Sequence, residues 1–267
     1  MRLCFSSCPN DTFVFHALLH NKVDTEGLVF DTHIADIDQL NSMAAAAKAD
    51  VVKISFAAYP LAMQHYCLLD AGSALGYGNG PLLVAQQGSQ PIAADTKVAL
   101  PGMHTTAALL MQQAFPQVQH YVPMLFSHIS AAVKNVQVDA GVLIHESRFT
   151  YAQQGLQLVA DLGEWWQTQH HLPIPLGGIA IRRSLPAMQQ QAFARVLRRS
   201  VDYALQNPTQ STAFVQHYAQ ELSPQVIEQH IKMFVNHHTQ SLGEEGRQAI
   251  CKLLQYNNLQ INQPIFL

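Results

Sequence analysis

Charge is scarce in this chain. Only 12% of its 267 residues are Asp, Glu, Lys or Arg, and the formal net charge is −3. That balance gives no basic footprint for a phosphate backbone, so nucleic acid is not expected as a partner. Long apolar runs are missing too: no window approaches the roughly eighteen unbroken apolar residues of a membrane span, and no membrane partner is expected. After Met1-Arg2-Leu3-Cys4-Phe5 the chain turns polar at once, unlike an export signal, which predicts a cytoplasmic location. Cysteine is limited to Cys4, Cys8, Cys67 and Cys251, without pair spacing, and this reads as reduced thiols rather than a disulfide framework. There is no G-x-S-x-G elbow, no P-loop and no G-x-G-x-x-G fingerprint. "GYGNG" (76–80) lacks the strand–turn–helix setting of a dinucleotide site and reads as a loop.

Histidine, by contrast, is abundant, with fourteen residues. No H-E-x-x-H occurs, and the pairs His170-His171 and His237-His238 are adjacent in sequence. Neighbouring side chains point apart on a regular element, so no metal site and no cofactor are expected.

The length suffices for one large domain or two moderate ones with real cores. Short apolar runs alternate with helix-length segments. Strands are predicted at 2–6, 28–34, 50–56, 80–86, 97–101, 120–124, 140–145 and 156–162. Helices are predicted at 12–20, 37–49, 57–66, 104–114 and 128–137. The alternation predicts an α/β fold with largely parallel sheets. After "PIPLGGIAIRRS" (173–184) the pattern becomes helical. Residues 186–206 carry Phe193, Val196, Leu197, Val201 and Leu205 at three-to-four spacing, and further helices open after Pro208, Ser223-Pro224 and Gly243. "GPLLVAQQG" and "PLGGIAIRR" are Gly-rich extended segments that suit crossings between two lobes. The expected division is 1–88 with 176–267 as the larger lobe and 89–175 as the smaller, with a cleft between them.

Four predicted strands end in polar groups where a helix begins. They are "SSCPNDT" (6–12), Ser55 before "FAAYP", Gly102 before "MHTTAA", and His145 before Glu146-Ser147-Arg148. Ligands of open α/β sheets bind outside the carboxyl ends of strands, where helix N-termini offer unpaired N–H donors. Each motif also has a structural reading. Asp11 and Thr12 suit the N-cap and first turn of a helix, Thr105 or Thr106 suits a cap, and Ser55 has the same alternative. His145 closes the apolar run Val142-Leu143-Ile144 and puts an imidazole at a core edge. Together the motifs suit an oxygen-rich, anionic small molecule.

The stretches "SSCPNDTFVFHAL", "VKISFAAYP", "ALGYGNGPLLV", "LPGMHTTAALL", "AGVLIHESRFTY" and "LGEWWQTQHHLPIPLGGIAIRR" resemble the MqnD family along essentially the whole chain. These are the 1,4-dihydroxy-6-naphthoate synthases of the futalosine route to menaquinone. The sequence departs from the family at Ser7, where proline is usual, and at Phe56, where tyrosine is common. The resemblance implies an α/β, two-lobed type II periplasmic-binding-protein-like fold with an interlobe cleft and a helical C-terminal part. It implies a cofactor-free carbon–carbon lyase that converts cyclic dehypoxanthine futalosine to 1,4-dihydroxy-6-naphthoate and releases a sugar-derived three-carbon fragment. The family's base maps onto His145. Its substrate contacts map onto the segment Ser55, Phe56 and Ala57 and onto Thr106 and Ala107, with Asn10 and Asp11 expected on a wall of the cleft. Two other readings share the fold: a solute-binding protein and the related chorismate dehydratase of the same pathway.

Overall fold

A computed structural model of the chain describes residues 1–145, 147–219, 223–256 and 263–267. Contacts divide it into two units, Met1–Gly76 with Pro175–Leu267, and Tyr77–Ile174. The larger unit opens with β1 (Arg2–Phe5), β2 (Asp31–Ile34) and β3 (Val51–Ser55), alternating with helices Pro9–Leu19 and Ile37–Ala45, and continues into β4 (Tyr66–Leu68) and β5 (Ala74–Gly76). The second unit carries β6 (Leu82–Gln86), β7 (Lys97–Leu100), β8 (His120–Pro123), β9 (Ala140–Leu143) and β10 (Leu156–Asp161). The chain returns to the larger unit through β11 (Ile174–Arg182).

The two sheets share one plan. In the larger unit the order is β2-β1-β3-β11-β4, with β5 also on β11, and in the second it is β8-β7-β9-β6-β10. In each, the first of three parallel strands lies between the second and the third, and the sheet then continues with antiparallel strands. The sheets are therefore half parallel rather than largely so, because β11 and β6 insert against the direction of β3 and β9. The expected boundary at residue 88 also moves. β6 pairs on both sides within the second unit, so the first crossing falls at residue 76.

Both cores follow the sequence pattern. In the larger unit Phe13, Val14, Phe15 and Leu18 meet Phe193, Val196, Leu197 and Val201 of the helix Ala187–Gln206. Buried Ser200 joins these helices, donating to the Val14 carbonyl at 2.5 Å and accepting from the Leu18 amide at 3.1 Å. Leu205, expected in the same stripe, faces outward, and Ala204 is buried in its place. The predicted helix 57–66 is α-helical only over Tyr59–Ala62, because Tyr66–Leu68 pairs with β11 and the Tyr66 hydroxyl donates to Ala49 O at 2.6 Å. In the second unit Leu82, Val84, Ala99, Leu143 and Leu156 pack with Ile129 and Val133 of the helix Phe126–Lys134. That helix lies close on β9 because position 141 is glycine: a Cβ there would stand 2.4 Å from Ile129 Cγ2. Gly80 and Gly163 likewise bring backbone against backbone. Among the described residues no helix is long and apolar enough to cross a membrane.

Candidate functional site

The four polar strand ends fall into two neighbouring pairs. β1 and β3 are adjacent and parallel, so the segment Ser6–Asp11 and Ser55 leave the same edge of the larger unit's sheet. β7 and β9 are adjacent and parallel, so the segment Gly102–Ala107 and His145 leave the same edge of the second unit's sheet.

In the larger unit, Pro9 starts the first helix and Cys8 holds the cap position, so Asp11 is the third helical residue rather than the cap. Its carboxylate accepts from Ser6 Oγ at 2.6 Å, from Asn10 Nδ2 at 2.8 Å and from Lys53 Nζ at 2.7 Å. Asp11 and Lys53 are both buried, with side chains 1% and 7% exposed. Lys53 was missed by sequence reasoning, although its signal was present: a lysine inside the apolar strand "DVVKISF" cannot be buried without a partner. Because the Asn10 amide nitrogen donates to a carboxylate, its oxygen faces buried His230, whose Nε2 at 3.0 Å must carry the proton. The functional atoms of Asn10 and Asp11 thus serve an internal network. Ser55 lies two residues beyond Lys53 on the same strand face. Its amide donates to Asn41 Oδ1 at 2.9 Å, and its hydroxyl accepts from Asn41 Nδ2 at 3.1 Å, which directs the Ser55 O–H away from Asn41. Phe56 and Ala57 form the 3₁₀ turn that follows, with the Phe56 ring against Gly178, where a Cβ would come within 2.7 Å of it.

In the second unit, Thr105 is the helix cap. Its hydroxyl oxygen accepts from the Ala108 amide and its O–H donates to Gly102 O. Thr106 and Ala107 are buried in the first turn of the helix Thr106–Ala114, where N–H groups lack intrahelical acceptors. His145 is half-buried, with its ring edge-on to Phe126 at 5.0 Å. Its φ is +55°, a left-handed conformation uncommon for a non-glycine residue. Of the six described non-glycine residues with positive φ, Asn21, Ala47, Val136 and His171 end helices and Glu26 lies in a turn; only His145 follows a strand. Strain in such a place is characteristic of functional sites. Glu146, next in sequence, lies outside the described residues.

The "IHESRFTY" motif has a second product. Arg148 donates to the carbonyls of Gly80 at 2.8 Å and Gly78 at 3.0 Å, clamping the "GYGNG" loop on both sides of Asn79. Asn79 is 1% exposed, and neither atom of its side-chain amide has a hydrogen-bond partner among the described residues. A buried amide left unpaired costs about 1–3 kcal/mol, so its retention needs a reason. No sequence signal marked it, since Asn between glycines reads as a turn. Burial pushes the Cys4, Cys67 and Cys251 thiols up from the usual thiol range, which makes these three poor nucleophiles.

Removing one partner of the Lys53–Asp11 pair strands the other charge. Lys53→Met should therefore destabilise the larger unit by about 3–5 kcal/mol in denaturant unfolding, and adding Asp11→Asn should restore much of that loss. A single-variant cost below about 1 kcal/mol, the range of exposed pairs, would contradict the burial of this pair.

A family model described as menaquinone biosynthesis matches residues 1–258. The 1,4-dihydroxy-6-naphtoate synthase of Thermus thermophilus is 41% identical over 255 residues, covering 95% of this chain and 92% of that protein. The enzyme of the same name from Streptomyces coelicolor is 42% identical over 259 residues, covering 95% and 91%. A crystal structure of an Archaeoglobus fulgidus protein superposes with a TM-score of 0.89 at 38% identity over 96% of each chain. A Candida albicans protein with the generic periplasmic binding protein fold superposes at 0.68 and 10% identity, covering 98% of this chain and 92% of that one, and so shows the fold alone. With this fold and a match along nearly its whole length, the chain belongs to the menaquinone biosynthesis family.

Proposed function

We propose that the protein is a lyase that converts cyclic dehypoxanthine futalosine to 1,4-dihydroxy-6-naphthoate, with His145 as general base. The support for the reaction is the resemblance to named synthases over 95% of the chain. The support for His145 is its backbone. A histidine held at φ +55° directly beyond an apolar strand is expensive unless its position matters. Forming an aromatic naphthoate from a spiro-cyclic precursor requires removal of a proton and departure of an oxygen leaving group. Imidazole, with an ordinary pKa of about 6.5, takes a proton near neutral pH without assistance. Ser55, with its O–H turned from Asn41, and the first-turn amides at Thr106 and Ala107 donate to the substrate's oxygens. Phe56 and Ala57 shape the wall beside Ser55, while Asn10 and Asp11 fix that wall through Ser6 and Lys53. Asn79 adds a directional contact through its amide. The solute-binding alternative would need these donors but no base.

His145→Asn should lower kcat by about 10²–10⁴, the usual contribution of a positioned base, while substrate affinity and melting temperature stay near wild type. A lower melting temperature with near-normal turnover per folded molecule would instead assign His145 a structural role.

Asn79→Leu separates binding from stability. It removes an unpaired amide and keeps the branching at Cγ, so the free protein should gain stability, by up to about 1–3 kcal/mol less the cost of the larger side chain, while KM rises. Loss of stability with unchanged KM would remove Asn79 from the substrate site.

A further inference from the structure

We propose that His237, His238 and Glu245 form a binding site for one divalent transition-metal ion, of which Zn²⁺ is the best suited. Each of the three residues offers one ligand atom, and these atoms lie within 4.8 Å of one another. The expectation that His237 and His238 point apart does not hold, because their ring centroids are 4.0 Å apart. The reason is local. Asn236 caps a four-residue helix, His237–Gln240, accepting from the His238 amide at 2.9 Å and anchoring to Leu75 O through Nδ2 at 2.7 Å. In so short a turn both imidazoles are held toward the helix Gly243–Gln255, which has Glu245 in its first turn.

The hydrogen-bond geometry of His238 points the same way. The residue is 2% exposed, and its Nδ1 faces the Leu242 carbonyl at 3.3 Å. A carbonyl only accepts, so Nδ1 carries the proton and Nε2 presents a lone pair. That lone pair points at Glu245 Oε2 3.5 Å away and has no hydrogen-bond donor among the described residues. Two acceptors facing each other, one on a buried imidazole and one on an exposed carboxylate, repel unless a cation or a proton lies between them. A ligating histidine whose other nitrogen donates to a backbone carbonyl is the usual arrangement in metal sites. Two imidazoles and a carboxylate suit Zn²⁺, whose nitrogen and oxygen ligands lie about 2.0–2.2 Å from the ion, rather than Mg²⁺ or Ca²⁺. His237 and Glu245 are exposed, so the ion has a route in from solvent. The ion would fasten the 237–240 turn to the following helix within the larger unit.

The test is calorimetric titration of the chelator-treated full chain with ZnCl₂, paired with thermal unfolding. Wild type should bind one equivalent and melt at a higher temperature with Zn²⁺ present. The other histidines and the cysteines are an internal control, so Glu245→Gln and His237→Asn, both at exposed positions, decide the assignment. Each should weaken Zn²⁺ binding by at least about tenfold and abolish the thermal shift, with an unchanged circular dichroism spectrum. Undetectable binding by wild type, or equal affinity and thermal shift in both variants, would overturn the proposal.

Discussion

Parallel strand pairing is the constraint from which the rest of this structure follows. Two strands that run the same way must end at the same edge, and whatever follows them is delivered side by side. In the larger unit, β1 against β3 brings the Asp11 network and Ser55 to one edge. In the second, β7 against β9 does the same for Thr106 and His145. The antiparallel strands that complete each sheet bury its flank without disturbing this edge. Because the same strand order occurs twice, one local rule accounts for all four polar motifs.

The cost of such an arrangement appears as polar groups that a simpler core would omit. Asp11 and Lys53 are taken out of water together, and each is held by further donors or by its partner. A hydrophobic pair of similar volume would often be as stable or more so, which favours a positioning role for this one. Asn79 goes further, since its amide is buried without a partner among the described residues while Arg148 fixes the backbone on either side. His145 adds backbone strain. These features concentrate at strand ends and at the loop that Arg148 clamps, and stability is commonly given up in such places for function.

Much of the fold was legible in the sequence. Each of the eight apolar runs taken as strands contains a strand, because alternation between short apolar runs and helical spacing reports burial directly. What escaped were elements made by tertiary pairing. Tyr66–Leu68 has the composition of a helix end but is recruited by β11, and Ala74–Gly76 is too short for any periodicity. The motif ends at Ser55, Thr106 and His145 were legible because a polar residue interrupting an apolar run is a local event. Lys53 and Asn79 were passed over for opposite reasons. The first sat inside a convincing strand, and the second inside a convincing turn. The histidine pair 237–238 was misread because a rule for regular elements was applied to a single capped turn.

A product measurement tests the proposed reaction most directly. Wild-type protein incubated with cyclic dehypoxanthine futalosine, with the products resolved by chromatography and mass spectrometry, should yield 1,4-dihydroxy-6-naphthoate in amounts equal to the substrate consumed. A three-carbon fragment should accompany it one for one. Binding of the intact compound without any turnover would contradict the account and return the protein to the solute-binding reading of its fold.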